Sequence, residues 1–206
     1  MLKKIYKKII KFIRREILLK NKNFTIISNN CFGGKIYEYF DLPKKSPTVG
    51  AYFFAKDYLK FLKNLEYYLS LEFRFISFKE SKHIEYLSEE SKNCPIGVLD
   101  DIEIIFLHYK TEKEVIEKWN RRIKRINWEK MIVKFNDQNN ATEEDIIEFD
   151  KLPFKNKICF IANPIKNKKL ESVIIFKEYT GKKYVLNDVS RWKNYLNIIK
   201  YLNNLK

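Results

Sequence analysis

A single cysteine lies where an apolar, strand-like segment meets a glycine pair, in the stretch FTIISNNCFGG of residues 24–34. In open α/β sheets, functional groups collect beyond the carboxyl ends of the strands. A helix that begins directly after Cys31 would favour its thiolate through unsatisfied N–H groups. Gly33 and Gly34 would let a substrate or another part of the backbone approach closely. Cys31 is therefore a candidate nucleophile, and a small packed residue is the alternative interpretation.

A cysteine nucleophile needs a base, and this chain has only two histidines. His83 lies in the charged stretch FKESKHIEYL, which is typical of solvated surface, whereas His108 ends the apolar run DIEIIFLHY. We therefore expect His108 at the carboxyl end of a strand, at the same sheet edge as Cys31. Asp137, after the strand-like MIVKFND, is the predicted residue that orients the imidazole. A hydrogen bond between His108 and Asp101 is the alternative.

Two charged segments could hold a substrate or a metal. In EKWNRRIKRINW the basic residues recur at helical spacing, which places Arg121 and Arg122 where they could bind a phosphate or carboxylate. A basic face paired with neighbouring glutamates is the alternative. The acidic pair Asp100 and Asp101 could bind a divalent metal and a sugar diphosphate, but such pairs between apolar strands are more often solvated turns. The glycine pair lacks the GxGxxG and GK[ST] spacings of phosphate loops.

The cysteine spacing argues against a metal or disulfide framework. Cys31, Cys94 and Cys159 are 63 and 65 residues apart and form no CxxC motif. Cys94 and Cys159 are expected to be structural. We predict neither a bound metal nor a cofactor.

The first 22 residues carry more than half of the net charge of +15, with nine Lys or Arg against one Glu. Apolar residues between Leu2 and Ile17 recur at spacings of three and four, which predicts an amphipathic helix with a basic opposite face. This helix could lie in an anionic membrane surface or pack its apolar stripe on the core. Nucleic acid is not an expected partner, because aromatic residues are not interleaved with the charges.

Strand-like and helix-like segments alternate along the rest of the 206 residues, which predicts a single α/β domain with a largely parallel or mixed sheet flanked by helices. We divide the chain into a helical arm at 1–22 and an α/β domain at 23–206. The predicted strands are 24–28, 71–78, two within 94–109, 131–135, 158–162 and 172–176. The predicted helices are 35–40, 57–69, 111–126, 142–153 and 192–205. Early lysines interrupt any secretory leader, so we expect a cytoplasmic protein, peripheral to the inner face of the cell membrane through the arm.

Four stretches resemble a bacterial family of unknown function that is commonly labelled exopolysaccharide biosynthesis protein. They are FTIISNNCFGG, DLPKKSPTVGAYFFAKDYLKFL, CPIGVLDDIEIIFLHYKTEKEVIEKWNRRIKRINW and VKFND, and the resemblance runs from about Phe24 to Phe176. It implies a role in making or decorating surface polysaccharide at the cytoplasmic membrane.

A more distant resemblance is to a family described as papain-like cysteine peptidases. A strand ending in NC, a histidine followed by an aromatic residue, and RRI-x-R place the likeness on Cys31, His108 and residues 121–125. The chain lacks the glutamine that papain-like enzymes place before the nucleophile. The resemblance therefore implies Asn29 or Asn30 as the oxyanion-hole donor.

Taken together, these patterns predict an enzyme of cell-surface polysaccharide biosynthesis that transfers or hydrolyses an acyl group through a thioester on Cys31. His108 is expected to act as base and then as acid. The expected substrate is a saccharide or a glycolipid. A sugar-nucleotide-dependent glycosyltransferase that uses Asp100 and Asp101, and a non-catalytic polysaccharide-assembly protein, are the alternatives.

Overall fold

A parallel sheet with helices on both faces forms the centre of the molecule. The computed structural model describes residues 2–206, apart from the side chains of residues 2 and 4. The strands are β1 (Thr25–Ser28), β2 (Arg74–Ile76), β3 (Ile96–Leu99), β4 (Ile102–Ile105), β5 (Met131–Asn136), β6 (Asn156–Ile161) and β7 (Val173–Ile175). The α-helices are α1 (Leu2–Phe12), α2 (Phe32–Phe40), α3 (Ala55–Lys63), α4 (Leu65–Ser70), α5 (Glu112–Ile123), α6 (Glu143–Lys151), α7 (Asp188–Arg191) and α8 (Ile198–Asn203).

The four strands of the main sheet run parallel in the order β1-β5-β6-β7. Their side chains alternate between two apolar clusters. Ile26 and Ile132 face α2 and the C-terminal helices, whereas Ile27 and Val133 face α3, α5 and α6. Burial on both faces explains why these strands are continuous apolar runs rather than alternating ones. The single α/β domain predicted from the sequence is confirmed.

A second, antiparallel sheet in the order β2-β3-β4 packs against the main core. Leu99 pairs with Ile102, so Asp100 and Asp101 form the two-residue turn of a hairpin. Asp100 has a φ of 53°, the left-handed conformation that tight hairpin turns require. The sequence does not predict this separation into two sheets.

Some helices differ from their predicted bounds. Helix α2 begins at Phe32 and so includes both glycines. The predicted helix at 57–69 is divided at Asn64 into α3 and α4. The predicted helix at 192–205 is wrong in its first half. Helix α7 ends before this range, a 3-10 turn follows at Trp192–Asn194, and α8 begins only after Asn197. The Asn197 side chain caps α8 by accepting a hydrogen bond from the Lys200 N–H.

The arm comprises α1 and a π-helical turn at Ile13–Leu18. It contacts the body through its basic edge: the Arg14 guanidinium lies 3.9 Å from the centre of the Tyr39 ring, and Arg15 donates to both the carbonyl and the carboxylate of Asp41. Its apolar stripe is exposed, so packing of the stripe on the core is not what the structure shows. The side chains of residues 2 and 4, which the sequence assigns to the stripe and to the basic face, lie outside the described part.

No helix within residues 2–206 is both long and apolar enough to cross a membrane.

Candidate active site

Cys31 is the residue that precedes helix α2, at a sharp corner after strand β1. Two side chains cap the new helix: Asn30 Oδ1 accepts from the Phe32 N–H (3.1 Å) and Ser28 Oγ from the Gly33 N–H (3.2 Å). A Cβ at Gly33 would lie 3.1 Å from the Ile26 carbonyl oxygen. Of the two kinds of close approach that the sequence predicts here, by a substrate or by the backbone, Gly33 allows the second, which is the packing of α2 on β1.

A short connecting segment, residues 50–53, brings His108 to this corner. The Phe53 N–H donates to the Asn29 carbonyl at the end of β1 (3.0 Å), and Tyr52 exchanges two hydrogen bonds with Ile105 at the end of β4. The His108 N–H donates to the Gly50 carbonyl (3.1 Å). The segment thus fixes the ends of strands from two different sheets side by side.

Gly50 is required in this segment for two reasons. Its φ of 89° is left-handed, and a Cβ there would lie 2.8 Å from the Tyr109 ring and 3.4 Å from His108 Cβ. Any larger residue would push the connecting segment away from His108.

Cys31 Sγ lies 3.2 Å from His108 Nε2, within direct proton-transfer distance. The pairing of these two residues is as predicted. The predicted geometry behind it is wrong, because Cys31 follows a strand of the parallel sheet and His108 follows a strand of the antiparallel sheet. The pair forms across two sheets rather than along one edge.

Burial raises the pKa of the Cys31 thiol above its ordinary value of 9.0. The ammonium of Lys35 acts in the opposite sense and lowers this pKa, and the carboxylate of Asp188 raises it further. A raised pKa favours the protonated thiol near neutral pH, and the imidazole Nε2 is the ring nitrogen that faces it. This arrangement differs from a preformed thiolate, which the helix N-terminus alone would suggest.

The pair opens into a pocket of about 310 Å³, a volume that suits a small ligand. The lining is strongly cationic for its size, with four basic side chains and a single carboxylate. The lining residues are Cys31, Gly34, Lys35, Glu38, Lys44, Val49, Gly50, His108, Tyr109, Lys118 and Arg122. Lys35 and Lys44 were not singled out from the sequence, because they belong to no periodic pattern.

Arg122 is the most informative of these cations, because only 6 % of the residue is exposed. One of its terminal nitrogens donates to the Val49 carbonyl (3.0 Å) and to the Tyr109 hydroxyl. Within residues 2–206, no carboxylate forms an ion pair with it. A buried guanidinium without a carboxylate has free donors for a bidentate anion. Arg121 is exposed and does not line the pocket.

The structure places Asp137 away from the pair. Its two carboxylate oxygens accept from the Ala162 N–H (2.6 Å) and the Val185 N–H (2.9 Å), and it borders a different depression. Burial raises the pKa of Asp137, against the effect of these N–H groups. The predicted role of Asp137 in orienting His108 is therefore wrong in this geometry, and no other described carboxylate bonds the His108 ring.

Asn29 and Asn30 do not face the pocket either, so their predicted role as oxyanion-hole donors is wrong. They belong to a sealed cluster that also contains Asn136, Lys134 and Asp188. Asn29 donates to Asn136 (2.6 Å), Asn30 donates to both oxygens of Asp188 (3.0 Å each), and Lys134 forms an ion pair with Asp188. All five residues are buried.

The sealed cluster is the main feature that sequence reasoning missed. Burial lowers the pKa of Lys134, while Asp188 acts in the opposite direction. The lysine also lies over the rings of Phe32 and Phe160, 5.6 Å and 5.3 Å from their centres. A signal was present in the sequence, since a lysine inside the apolar strand MIVKF requires a buried partner.

The remaining candidates are engaged in structural contacts. Asp101 bonds Lys60 and the Tyr68 hydroxyl rather than His108, and Asp100 accepts from Tyr67. Among the described residues, no group of three or more potential ligands is arranged to hold a metal.

His83 was predicted to be solvated surface, and this is wrong. Its ring stacks on that of Phe54, with 3.9 Å between the ring centres, and its Nε2 lies 2.8 Å from a carboxylate oxygen of Asp57. Cys159 is fully buried, as expected of a structural cysteine, and Cys94 is half-buried.

Fold and pocket together define a class: a single α/β domain with a Cys–His pair facing a cationic pocket. The chain belongs to the family described as a domain of unknown function, DUF1919, whose model matches residues 1–206. It is also similar to an uncharacterized protein of Haemophilus influenzae (strain Rd), with 32% identity over 200 residues that cover 89% of this chain and 91% of that protein.

Proposed function

We propose that this protein is a cysteine-dependent enzyme that transfers or hydrolyses an acyl group on an anionic substrate. The observation that carries the proposal is the 3.2 Å separation of Cys31 Sγ and His108 Nε2 at the wall of an open pocket. A nucleophile and a base within hydrogen-bond distance are the minimum required for covalent acyl transfer.

The first step uses the thiol as it stands. His108 Nε2 accepts the thiol proton as Cys31 Sγ attacks the acyl carbonyl carbon, and the bond from that carbon to the leaving group breaks. His108 then donates the proton to the leaving group, which departs neutral, and a thioester remains on Cys31. In the second step water or an acceptor hydroxyl gives its proton to His108 and attacks the thioester carbon. The C–S bond then breaks, and His108 returns the proton to Cys31 Sγ, which restores the thiol.

Arg122 supports an anionic substrate. Arg122 is only 6 % exposed, and burial of a guanidinium without a carboxylate costs free energy. A bound anion would offset this cost. Lys35, Lys44 and Lys118 add positive charge around the same pocket. Lys35 and Lys44 share the carboxylate of Glu38, and Lys118 pairs with Glu114, so the lysines are partly neutralised. A phosphate or carboxylate on the substrate would neutralise Arg122 and orient the acyl group towards Cys31.

We place this chemistry in cell-surface polysaccharide biosynthesis, with an acylated saccharide or glycolipid as substrate. This part of the proposal rests on the family resemblance given above. A saccharide hydroxyl would be the acceptor of a transferase, and water the acceptor of a hydrolase.

Acylation of Cys31 by an activated ester tests the proposal. Wild-type protein mixed with 4-nitrophenyl acetate should release nitrophenol and gain an acetyl group on Cys31, found by peptide mass spectrometry. Cys31→Ala should give no adduct at this site. His108→Gln should acylate about 100- to 10,000-fold more slowly, the range for loss of a general base.

Cys94→Ala is the matched control, since it removes a half-buried thiol that lies outside the pocket. It should acylate at the wild-type rate. Equal acylation rates in wild-type protein and His108→Gln, or an adduct mainly on Cys94, would contradict the proposal.

A further inference from the structure

The arm presents an apolar stripe to solvent, which is unusual for a helix that already has a body to pack against. Among its large apolar residues, Ile5 is 47%, Ile9 51%, Phe12 54% and Ile17 67% exposed. Contiguous exposed apolar surface of this kind marks an interaction site.

The way in which the arm is attached explains the exposure. Lys11 and Arg15 pair with Asp41, and Arg14 packs on Tyr39, so the edge of the helix that contacts the body is basic. At 100° per residue, Ile9 lies on the opposite side of the helix from these contacts. The body thus holds the arm with its apolar stripe turned outward.

Basic residues flank this stripe. Lys3 and Lys8 are exposed, and no described carboxylate pairs with either of them. A helix with an outward apolar face and lysines along its margins has the form of helices that lie in the plane of a membrane interface. The apolar residues enter the acyl region while the lysines meet anionic headgroups.

We infer that the arm docks the protein on an anionic lipid surface, with the stripe of Ile5, Ile9, Phe12, Ile13 and Ile17 inserted at the interface. Charge favours this occupant over a second copy of the chain. Residues 1–22 carry a net charge of +8, so pairing two arms face to face would bring like charges together, whereas anionic headgroups neutralise them.

The docked arm borders the active-site pocket. Lys35 and Glu38 line both that pocket and the groove beneath the arm, which also contains Ile10 and Arg14. A docked protein would therefore hold its pocket close to the headgroups. This consequence rests on the proposed function, but the docking itself does not, because Cys31→Ala should bind lipid as the wild type does.

Vesicle sedimentation of the full chain tests the inference. The protein should bind vesicles that contain phosphatidylglycerol, bind weakly to vesicles of phosphatidylcholine alone, and lose affinity as salt increases. The double variant Ile9→Glu/Ile13→Glu should lower binding to the anionic vesicles by at least about tenfold. Because both side chains are solvent-facing, the variant should keep the wild-type circular dichroism spectrum and melting curve.

Ile116→Glu is the matched control, since Ile116 is also exposed (42 %) but lies on α5 rather than on the arm. It should bind anionic vesicles as the wild type does. Equal binding by wild type and the double variant would overturn the inference, as would absence of binding to anionic vesicles. A wild-type dimer that the double variant converts to a monomer, without lipid affinity, would show that a second copy covers the stripe.

Discussion

The Cys31–His108 pair and the sealed cluster both include residues that directly follow β1. They differ in their exposure to solvent and in how their charges are balanced. Cys31 is half-buried at the wall of a pocket, and its thiol has one partner. Lys134 is fully buried, and its ammonium bonds Asp188 and Asn30. Each group contains residue types that could do chemistry. Only the pair adjoins an open pocket, so exposure rather than residue type distinguishes the proposed reactive group from the structural one.

The two groups are also linked. Asn30 joins them, because its Nδ2 donates to Asp188 while its Oδ1 caps the helix that begins beside Cys31. The sealed cluster therefore holds the corner that aims the thiol at His108. A buried ion pair does not by itself stabilise a fold strongly, but breaking one leaves an uncompensated charge.

The largest effect on stability is expected from removal of the Asp188 charge. Asp188→Asn keeps the side-chain shape and leaves the Lys134 ammonium buried without a carboxylate. We expect a loss of about 3–5 kcal/mol in the free energy of unfolding, measured by guanidinium denaturation at pH 7. Glu148→Gln is the control, since it makes the same chemical change in the surface pair Lys63–Glu148 and should cost less than about 1 kcal/mol.

The deficit of Asp188→Asn should shrink as the pH rises. Burial lowers the pKa of Lys134 below its ordinary 10.5, so in the variant the folded chain releases this proton before the unfolded chain does. Its stability therefore rises with pH across the window between the lowered pKa and 10.5. The wild type should gain less over the same window, because Asp188 opposes the lowering of the Lys134 pKa. A loss below about 1 kcal/mol at pH 7 would show that the cluster does not hold the corner.

A smaller effect is expected at Arg122, on the open side of the comparison. Arg122→Gln should lower kcat/KM about 10- to 100-fold for the 4-nitrophenyl monoester of succinate, which carries a carboxylate, because a hydrogen bond to a charged group contributes about 1.5–3 kcal/mol. The neutral 4-nitrophenyl acetate should be affected much less.

Arg121→Gln controls for the change of charge on the same helix, and it should behave as wild type with both esters. Arg122→Lys should recover part of the rate with the succinate ester, since it restores the positive charge. Equal losses with both esters would mean that Arg122 acts only by supporting Val49 and Tyr109, to which it is bonded.

The sequence was informative about elements and about which scarce residues follow them. Apolar runs predicted the strands of the parallel sheet. The predicted helix starts at 111 and 142 also agree with the structure, where Thr111 and Thr142 accept cap hydrogen bonds from the Glu114 and Asp145 N–H groups. Cys31 and His108 were predicted to pair because each follows a strand, and they do lie together, although the two strands belong to different sheets.

The sequence could not predict what competes for a side chain in three dimensions. Asp137 does lie beyond the end of β5, but two loop N–H groups, at residues 162 and 185, occupy its oxygens. Asp188 comes from a four-residue helix without a periodic pattern, 158 positions from its partner Asn30. Long-range partners of this kind depend on tertiary packing, which local periodicity does not encode.

A still smaller effect, on the alkylation rate of Cys31, tests the protonation state of the Cys31–His108 pair. Burial raises the pKa of Cys31, so its alkylation by iodoacetamide should accelerate steadily as the pH rises from 6 towards and beyond 9.0. Peptide mass spectrometry follows Cys31 and Cys94 in one sample, and the buried Cys159 should stay unmodified while the protein is folded. Lys35→Met removes a charge that lowers this pKa, and should slow the alkylation of Cys31 at neutral pH by a few-fold while leaving that of Cys94 unchanged.

A Cys31 alkylation rate that is already constant from pH 6 upward would instead indicate a thiolate paired with an imidazolium. His108 would then begin the reaction as an acid rather than as a base, and Arg122 would share its pocket with this thiolate–imidazolium pair.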